Sequence, residues 1–201
     1  MLNHHKEVYL LKQVNTYLNF WEVGKVLLAL HISNGAHVKQ TRDDGMTAYF
    51  SHPLAVACFL ADKEHDAVTV VAALLHDVVE DTDYTLAQIR QNFGDEVAFI
   101  VDGVTKFGCC KTCTIDKIKQ ATDVDKRVLI VKLADRIHNL QTLSGMKNLS
   151  KQAEKLEETR TVYLPLARAY QLDDLAAVIG QLIDEQEQRL EREGVRDGKQ
   201  G

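Results

Sequence analysis

The chain has 201 residues, 45% of them hydrophobic and 26% charged, with a formal net charge of −5. That length allows one domain with a real core, or at most two small ones. The acidic balance argues against a general nucleic-acid binder, which carries a basic excess or patch, but leaves room for a small anionic substrate held by a few local cations or a metal.

The N-terminal stretch MLNHHKEVYLLKQVNTYLNFW is broken by polar residues and lacks a signal-peptide core, and no apolar run reaches membrane-spanning length. A cytoplasmic protein with no membrane or nucleic-acid partner is expected, and a homo-oligomer is compatible with the sequence. Only two prolines occur, and apolar residues recur at three- and four-residue spacing, so the chain reads as all-α. The pattern predicts a first helix over Lys6 to Leu18 and a second over Trp21 to Ser33. The polar, Gly-containing segment SNGAHVKQTRDDGMTAYFSHP reads as a loop or broken helix. Pro53 suits the first turn of the next helix, with His52 just before it.

Asp66 is placed to cap the helix AVTVVAALLHDVVE. Thr82 or Asp83 is placed to cap TLAQIRQNF, with Gly94 as its stop, and Asp95 opens DEVAFIVDGVTK. FGCCKTCTIDKIKQATDVD reads as a mobile connector. A strong helix follows in KRVLIVKLADRIHNLQTL, then SKQAEKLEETRTVYLPLARAY, which Pro165 should bend or break. The last helix is DDLAAVIGQLIDEQEQRLERE, and residues 194–201 read as a flexible tail. Of the four cysteines, Cys109, Cys110 and Cys113 crowd into GCCKTC. Such neighbours build a disulfide framework poorly, so reduced thiols are expected, and no nearby fourth ligand completes a zinc site.

The chemistry concentrates in AALLHDVVEDT. Carboxylates and an imidazole at His76, Asp77, Glu80 and Asp81 cluster at the end of an apolar helix, with few basic residues near in sequence. Ionised groups in such a place are costly unless a cation offsets them, and a divalent metal would supply the charge. Imidazole with carboxylate suits first-row metals better than calcium. In VKLADRIHNLQTL, Asp135, Asn139 and Thr142 stand at i, i+4 and i+7, on one helical face. His52 sits at a helix start in YFSHPLAVA. Taken singly, each has a plain structural reading: a satisfied core histidine, a solvated helix end, an aspartate paired with Arg136 or a lysine. The combination H…HD…D on apolar helices matches the ligand pattern of the HD superfamily of metal phosphohydrolases.

The pieces AHVKQTRDDG, YFSHPLAVA, AALLHDVVEDT, FGDEVAFIVDGVTK, VLIVKLADRIHNLQTL and ETRTVYLPLA, in this order from Ala29 to Tyr170, resemble the hydrolase domain of the RelA/SpoT family, and its small stand-alone alarmone hydrolases in particular. The resemblance implies one HD-type domain, an all-α bundle of about ten helices. It implies hydrolysis of guanosine tetra- or pentaphosphate (ppGpp or pppGpp) at the 3′ position with one Mn²⁺, and a guanine-nucleotide alarmone as the partner. On this reading His52, His76, Asp77 and Asp135 hold the metal, and Glu80 and Asp81 position and activate the attacking water. Arg42 packs against the guanine, Asn139 and Thr142 contact the sugar and phosphate side, and Tyr49 supports the pocket wall. The chain departs from the family at Asp43, where a basic residue is usual, and in GMTAY, which has one extra residue and no proline. An alternative is therefore an HD-type phosphohydrolase of another nucleotide, such as NADPH or a nucleoside phosphate. No synthetase segment follows in the sequence, so only alarmone degradation is expected of it.

Overall fold

A computed structural model describes residues 2–106, 108 and 110–192. Among these residues there are twelve α-helical segments and no strand; the one β-bridge, Thr41 to Ala48, is isolated. The expected all-α fold is what forms. Two of the segments continue their predecessors through short breaks, so ten helical rods result. The chain divides into two compact units, residues 1–135 and 136–201.

The first unit holds α1 (Leu2–Val14), α2 (Phe20–Ala36), α3 (Ser51–Ala61), α4 (Ala67–Leu75), α5 (Val78–Asp81), α6 (Leu86–Phe93), α7 (Asp95–Val104), α8 (Lys111–Val124) and most of α9 (Arg127–Gln141). The centre is α4, every residue of which is buried except the half-buried Val68. An all-apolar helix can only be stable when covered on every side, and α2, α3 and α7 pack against it. Asp66 caps it as expected, accepting from the Thr69 amide at 2.8 Å. The α4 rod breaks at His76–Asp77 and resumes as the single turn α5.

Several boundaries differ from expectation for identifiable reasons. The first helix begins earlier, and its buried residues are Leu10 and Val14. The cap of α6 is Thr85, not Thr82 or Asp83: Thr85 and Gln88 form a reciprocal capping box. Gly94, at φ +92°, ends that helix as predicted. The expected mobile connector is the ordered helix α8, whose buried face is Thr114, Ile118 and Thr122. Cys110 and Cys113 are joined in a disulfide, against the expectation of reduced thiols, because the cap and third position of α8 bring their Cα atoms to 5.3 Å. Cys109 and residues 194–201 lie outside the described residues.

Gly103 lets α7 approach α8 and α9 closely. A Cβ there would stand 3.0 Å from Val128 Cγ1 and 3.1 Å from Ala121 Cβ. Overpacking of this kind costs about 1–3 kcal/mol, against a helix-propensity gain near 1 kcal/mol. Gly103→Ala should therefore lower the unfolding free energy by roughly 1 kcal/mol, read as an earlier denaturant midpoint with unchanged slope. An unchanged or later midpoint would mean that Val128 gives way freely.

The second unit holds the end of α9, then α10 (Leu149–Glu158), a π-helical turn over Thr159–Tyr163, α11 (Leu164–Ala169) and α12 (Asp173–Arg192). Pro165 stands at the start of α11, directly after the π turn. The wide turn accommodates the missing amide donor, so the rod is locally unwound rather than broken. Within this unit Arg136 is buried, with its guanidinium 4.2 Å from the Tyr163 ring centroid and 3.0 Å from a Glu158 oxygen. No helix among the described residues is long and apolar enough to cross a membrane.

Candidate functional site

Three elements of the first unit converge on one buried cluster. His52 comes from the start of α3, His76 and Asp77 from the break between α4 and α5, and Asp135 from α9. Both residues at the break keep right-handed helical dihedrals, and His76 Nε2 lies 3.1 Å from Asp77 Oδ2. Asp77 Oδ2 is also 3.6 Å from His52 Nε2. Asp135 Oδ1 stands 3.1 Å from His52 Nε2 and 3.8 Å from His76 Nε2. Ligand atoms of His52, His76 and Asp135 all lie within 4.8 Å of one another, the spacing of a divalent-metal centre.

The donor set fits such an ion. His76 Nδ1 is 2.7 Å from the Ala73 carbonyl, which fixes the proton on that nitrogen. The other nitrogen, Nε2, is buried without a hydrogen-bond partner and faces the carboxylates. A histidine oriented by its far nitrogen, with its near nitrogen turned to the carboxylates, is how imidazole is presented to a metal once that near nitrogen gives up its proton.

The electrostatics show what the cluster does when only protons are available. Burial alone would lower His76, but the charges of Asp77 and Asp135 outweigh it and push the imidazole up to about 9. Burial lowers His52, with Asp135 opposing. Asp77 is held well below the usual carboxylate range by the two histidines, against the cost of burial. Asp135 is likewise held low, by Lys132 first and then the histidines. At neutral pH both carboxylates are therefore already ionised and His52 neutral, while His76 carries a proton that an ion must displace. Metal affinity should strengthen about tenfold per pH unit up to pH 9, with about one proton released per ion. Calorimetric titration between pH 6.0 and 8.5 reads this. A flat profile would remove His76 from the ligand set.

Around the cluster, Tyr49 Oη is 2.7 Å from Asp77 Oδ2 and 2.9 Å from Asp81 Oδ2. Burial and these two carboxylates raise its phenol pKa, so it stays a proton donor. Burial, then the charge of Asp77, raises the Asp81 carboxyl above its ordinary value. Glu80 pairs with Lys106, whose ammonium meets Oε1 and whose amide donates to Oε2 at 3.2 Å. Arg42 lies in the hairpin-like loop closed by the Thr41–Ala48 bridge, its guanidinium 5.7 Å from the Tyr49 ring centroid. The loop turns at Gly45, at φ +74°, and is held by Asp44, which accepts from Thr47 Oγ1 and the Met46 and Thr47 amides.

His52, His76, Asp77, Tyr49, Asp81 and Asp135 are thus brought together, with Glu80 and Arg42 at the edge through Asp81 and Tyr49. Asn139 and Thr142 belong to the second unit. There Asn139 is half-buried and Thr142 Oγ1 donates to the His138 carbonyl at 2.9 Å. Sequence reasoning missed Lys132, buried with its Nζ 3.0 Å from Asp135 Oδ2. Its signal was present: a lone cation in VLIVKLAD, three residues before the aspartate. It also missed Lys106, His37 and Gln40, which reach the site from other elements.

Comparison with known proteins places this arrangement. The chain is 43% identical over 164 residues to a probable GTP pyrophosphokinase of Mycobacterium leprae, covering 75% of this chain and 21% of that protein. It is 39% identical over 162 residues to the bifunctional (p)ppGpp synthase/hydrolase SpoT of Escherichia coli K12, covering 77% and 23%. The chain thus spans about a fifth of the length of the curated relatives it matches. A solved structure, described as a metazoan ortholog of SpoT that hydrolyses ppGpp, superposes with a TM-score of 0.72 at 25% identity, covering 85% of this chain and 97% of that one. These likenesses bear out the RelA/SpoT resemblance read from the motifs. The HD domain family matches residues 29–171, which include all four residues of the buried cluster, and the chain belongs to that family.

Proposed function

We propose that this chain is a Mn²⁺-dependent guanosine-3′,5′-bis(diphosphate) 3′-pyrophosphohydrolase, acting on ppGpp or pppGpp. The convergence of His52, His76, Asp77 and Asp135 on one buried point carries the reading, and the printed activities of the SpoT relatives and of the metazoan structure supply the substrate. The family match runs through both compact units, in keeping with one functional domain with its core over residues 29–170. The cytoplasm, where free nucleotides circulate, is its compartment.

In the reaction, water adds to the phosphorus bearing the 3′ oxygen, the P–O3′ bond breaks, and the products are pyrophosphate and GDP or GTP with a 3′ hydroxyl. A divalent ion held by the two histidines and two aspartates supplies Lewis acidity and a more acidic water. The chain's own residues do the rest. Asp81, with its raised pKa, is the carboxylate tuned toward accepting a proton near neutrality. Glu80 orients the water, activates it for attack together with Asp81, and is itself held by Lys106. Tyr49 keeps Asp77 and Asp81 apart electrostatically by placing its hydroxyl between them. Arg42 offers a planar cation to the base, which lysine would reproduce poorly. Asn139 and Thr142 contact the sugar and phosphates.

Incubation with Mn²⁺ and guanosine tetraphosphate, with products resolved by anion-exchange chromatography, tests the proposal: GDP and pyrophosphate should appear in equal amounts. A second reading changes only the substrate, and the reshaped Arg42 loop favours considering it. Turnover of NADPH or a nucleoside phosphate with guanosine tetraphosphate untouched would establish that reading and overturn the first.

A further inference from the structure

We propose that His37 is a positioning residue for Asp81, acting through two arms that begin at the end of α2. The inference rests on the role given to Asp81 in the preceding section. His37 is buried, at 1% exposure, and terminates α2. Its Nδ1 lies 2.6 Å from Gln40 Oε1, and Gln40 Nε2 donates to the Asp81 main-chain carbonyl at 2.6 Å. The amide orientation follows from both ends at once: its oxygen needs a donor and its nitrogen needs an acceptor, so the His37 proton resides on Nδ1. The second arm is the ring itself, stacked at 4.7 Å on Tyr49, whose hydroxyl reaches the Asp81 carboxylate at 2.9 Å. One arm therefore holds Asp81 by its backbone and the other by its side chain.

The need for a brace comes from α5. It is a helix of four residues, Val78–Asp81, and a single turn lacks the length to hold its own conformation. Its terminal carbonyls have no helical partner, and Gln40 caps the last of them. His37 Nε2 is buried without a partner. An apolar ring would fill the same space with no orphaned nitrogen, so the histidine's Nδ1–H is what the position retains: it points the Gln40 amide at Asp81.

Two variants cut the first arm while leaving the second in place. His37→Phe keeps a ring on Tyr49 and removes the donor; Gln40→Leu removes the amide. Each should lower kcat for guanosine tetraphosphate by about ten- to a hundredfold, the scale for partners that orient a site residue, with KM and Mn²⁺ affinity unchanged. His37→Asn, whose amide can donate from nearly the same place as Nδ1, should recover part of the loss. The double variant His37→Phe/Gln40→Leu should be no slower than either single one, because both break the same arm. Hydrogen exchange at the Asp81 amide, which donates to the Asp77 carbonyl at 2.9 Å, provides a readout independent of substrate: it should quicken in both single variants and remain slow in the wild type. Multiplying losses in the double variant, exchange unchanged at this amide, or quicker exchange with kcat intact would each overturn the brace. A wild type silent toward guanosine tetraphosphate would instead sink the substrate reading, and exchange alone would then decide whether His37 braces Asp81.

Discussion

Replacing Asp135 with alanine is expected to strip the protein of its divalent ion and to cut pyrophosphate release by about a thousandfold or more. Lewis-acid stabilisation is worth several kcal/mol, and each 1.4 kcal/mol is about tenfold in rate. The position is demanding because Asp135 serves both sides of the cluster. Its Oδ1 approaches both histidines and its Oδ2 meets Lys132 Nζ at 3.0 Å. Removing it takes away a proposed metal ligand and also deprives a buried ammonium of that carboxylate. Breaking one side of a buried ion pair costs about 3–5 kcal/mol. A misfolded variant would therefore mimic a metal-free one. Lys132→Met combined with Asp135→Ala separates the two effects, since it removes the buried cation as well. The double variant should regain most of the lost stability and none of the metal, measured by thermal unfolding and by elemental analysis. A well-folded Asp135→Ala protein carrying a full equivalent of metal would overturn the ligand assignment.

What could be read from the sequence divides along a physical line. His76 and Asp77 are adjacent, and the apolar run before them made their polarity conspicuous. Asp66 and Gly94 declare themselves by local rules, because a cap or a left-handed stop is decided within a few residues. Thr85 obeyed such a rule too, with Gln88 three residues on, and the capping-box spacing could have identified it. Helix α8 was missed because its buried stripe is Thr114, Ile118 and Thr122, with methyl-bearing threonines standing where periodicity looks for leucine. The contacts from His37 through Gln40 to Asp81, and from Lys106 to Glu80, join residues on separate elements. No spacing rule along one helix can find them. The same holds for the break at His76–Asp77, which the sequence presents as one continuous helix. There α2, α3 and α7 pack against the rod, and His76 Nε2 comes to lie 3.1 Å from Asp77 Oδ2.

Glu80→Gln supplies the second large expected effect, and it isolates chemistry from assembly. Glutamine keeps the size and can still accept from the Lys106 amide, now at 3.2 Å from Glu80 Oε2, but it carries no charge and no longer takes up a proton. Glu80 is not among the groups that converge on the buried centre, so metal occupancy should equal that of the wild type. Loss of a water-activating carboxylate should slow turnover by about 10²- to 10⁴-fold, with KM little changed. Stability should hardly move, because the Lys106 side chain is 62% exposed and a pair at that exposure contributes little to folding. Lys106→Ala provides the control, since it removes the ion pair and keeps the carboxylate. If that substitution alone reproduced the Glu80→Gln loss, the pairing would be the active element and not the carboxylate. Loss of metal in Glu80→Gln would move Glu80 into the ligand set, and full activity would leave Asp81, braced by Tyr49 and Gln40, as the carboxylate that handles the proton.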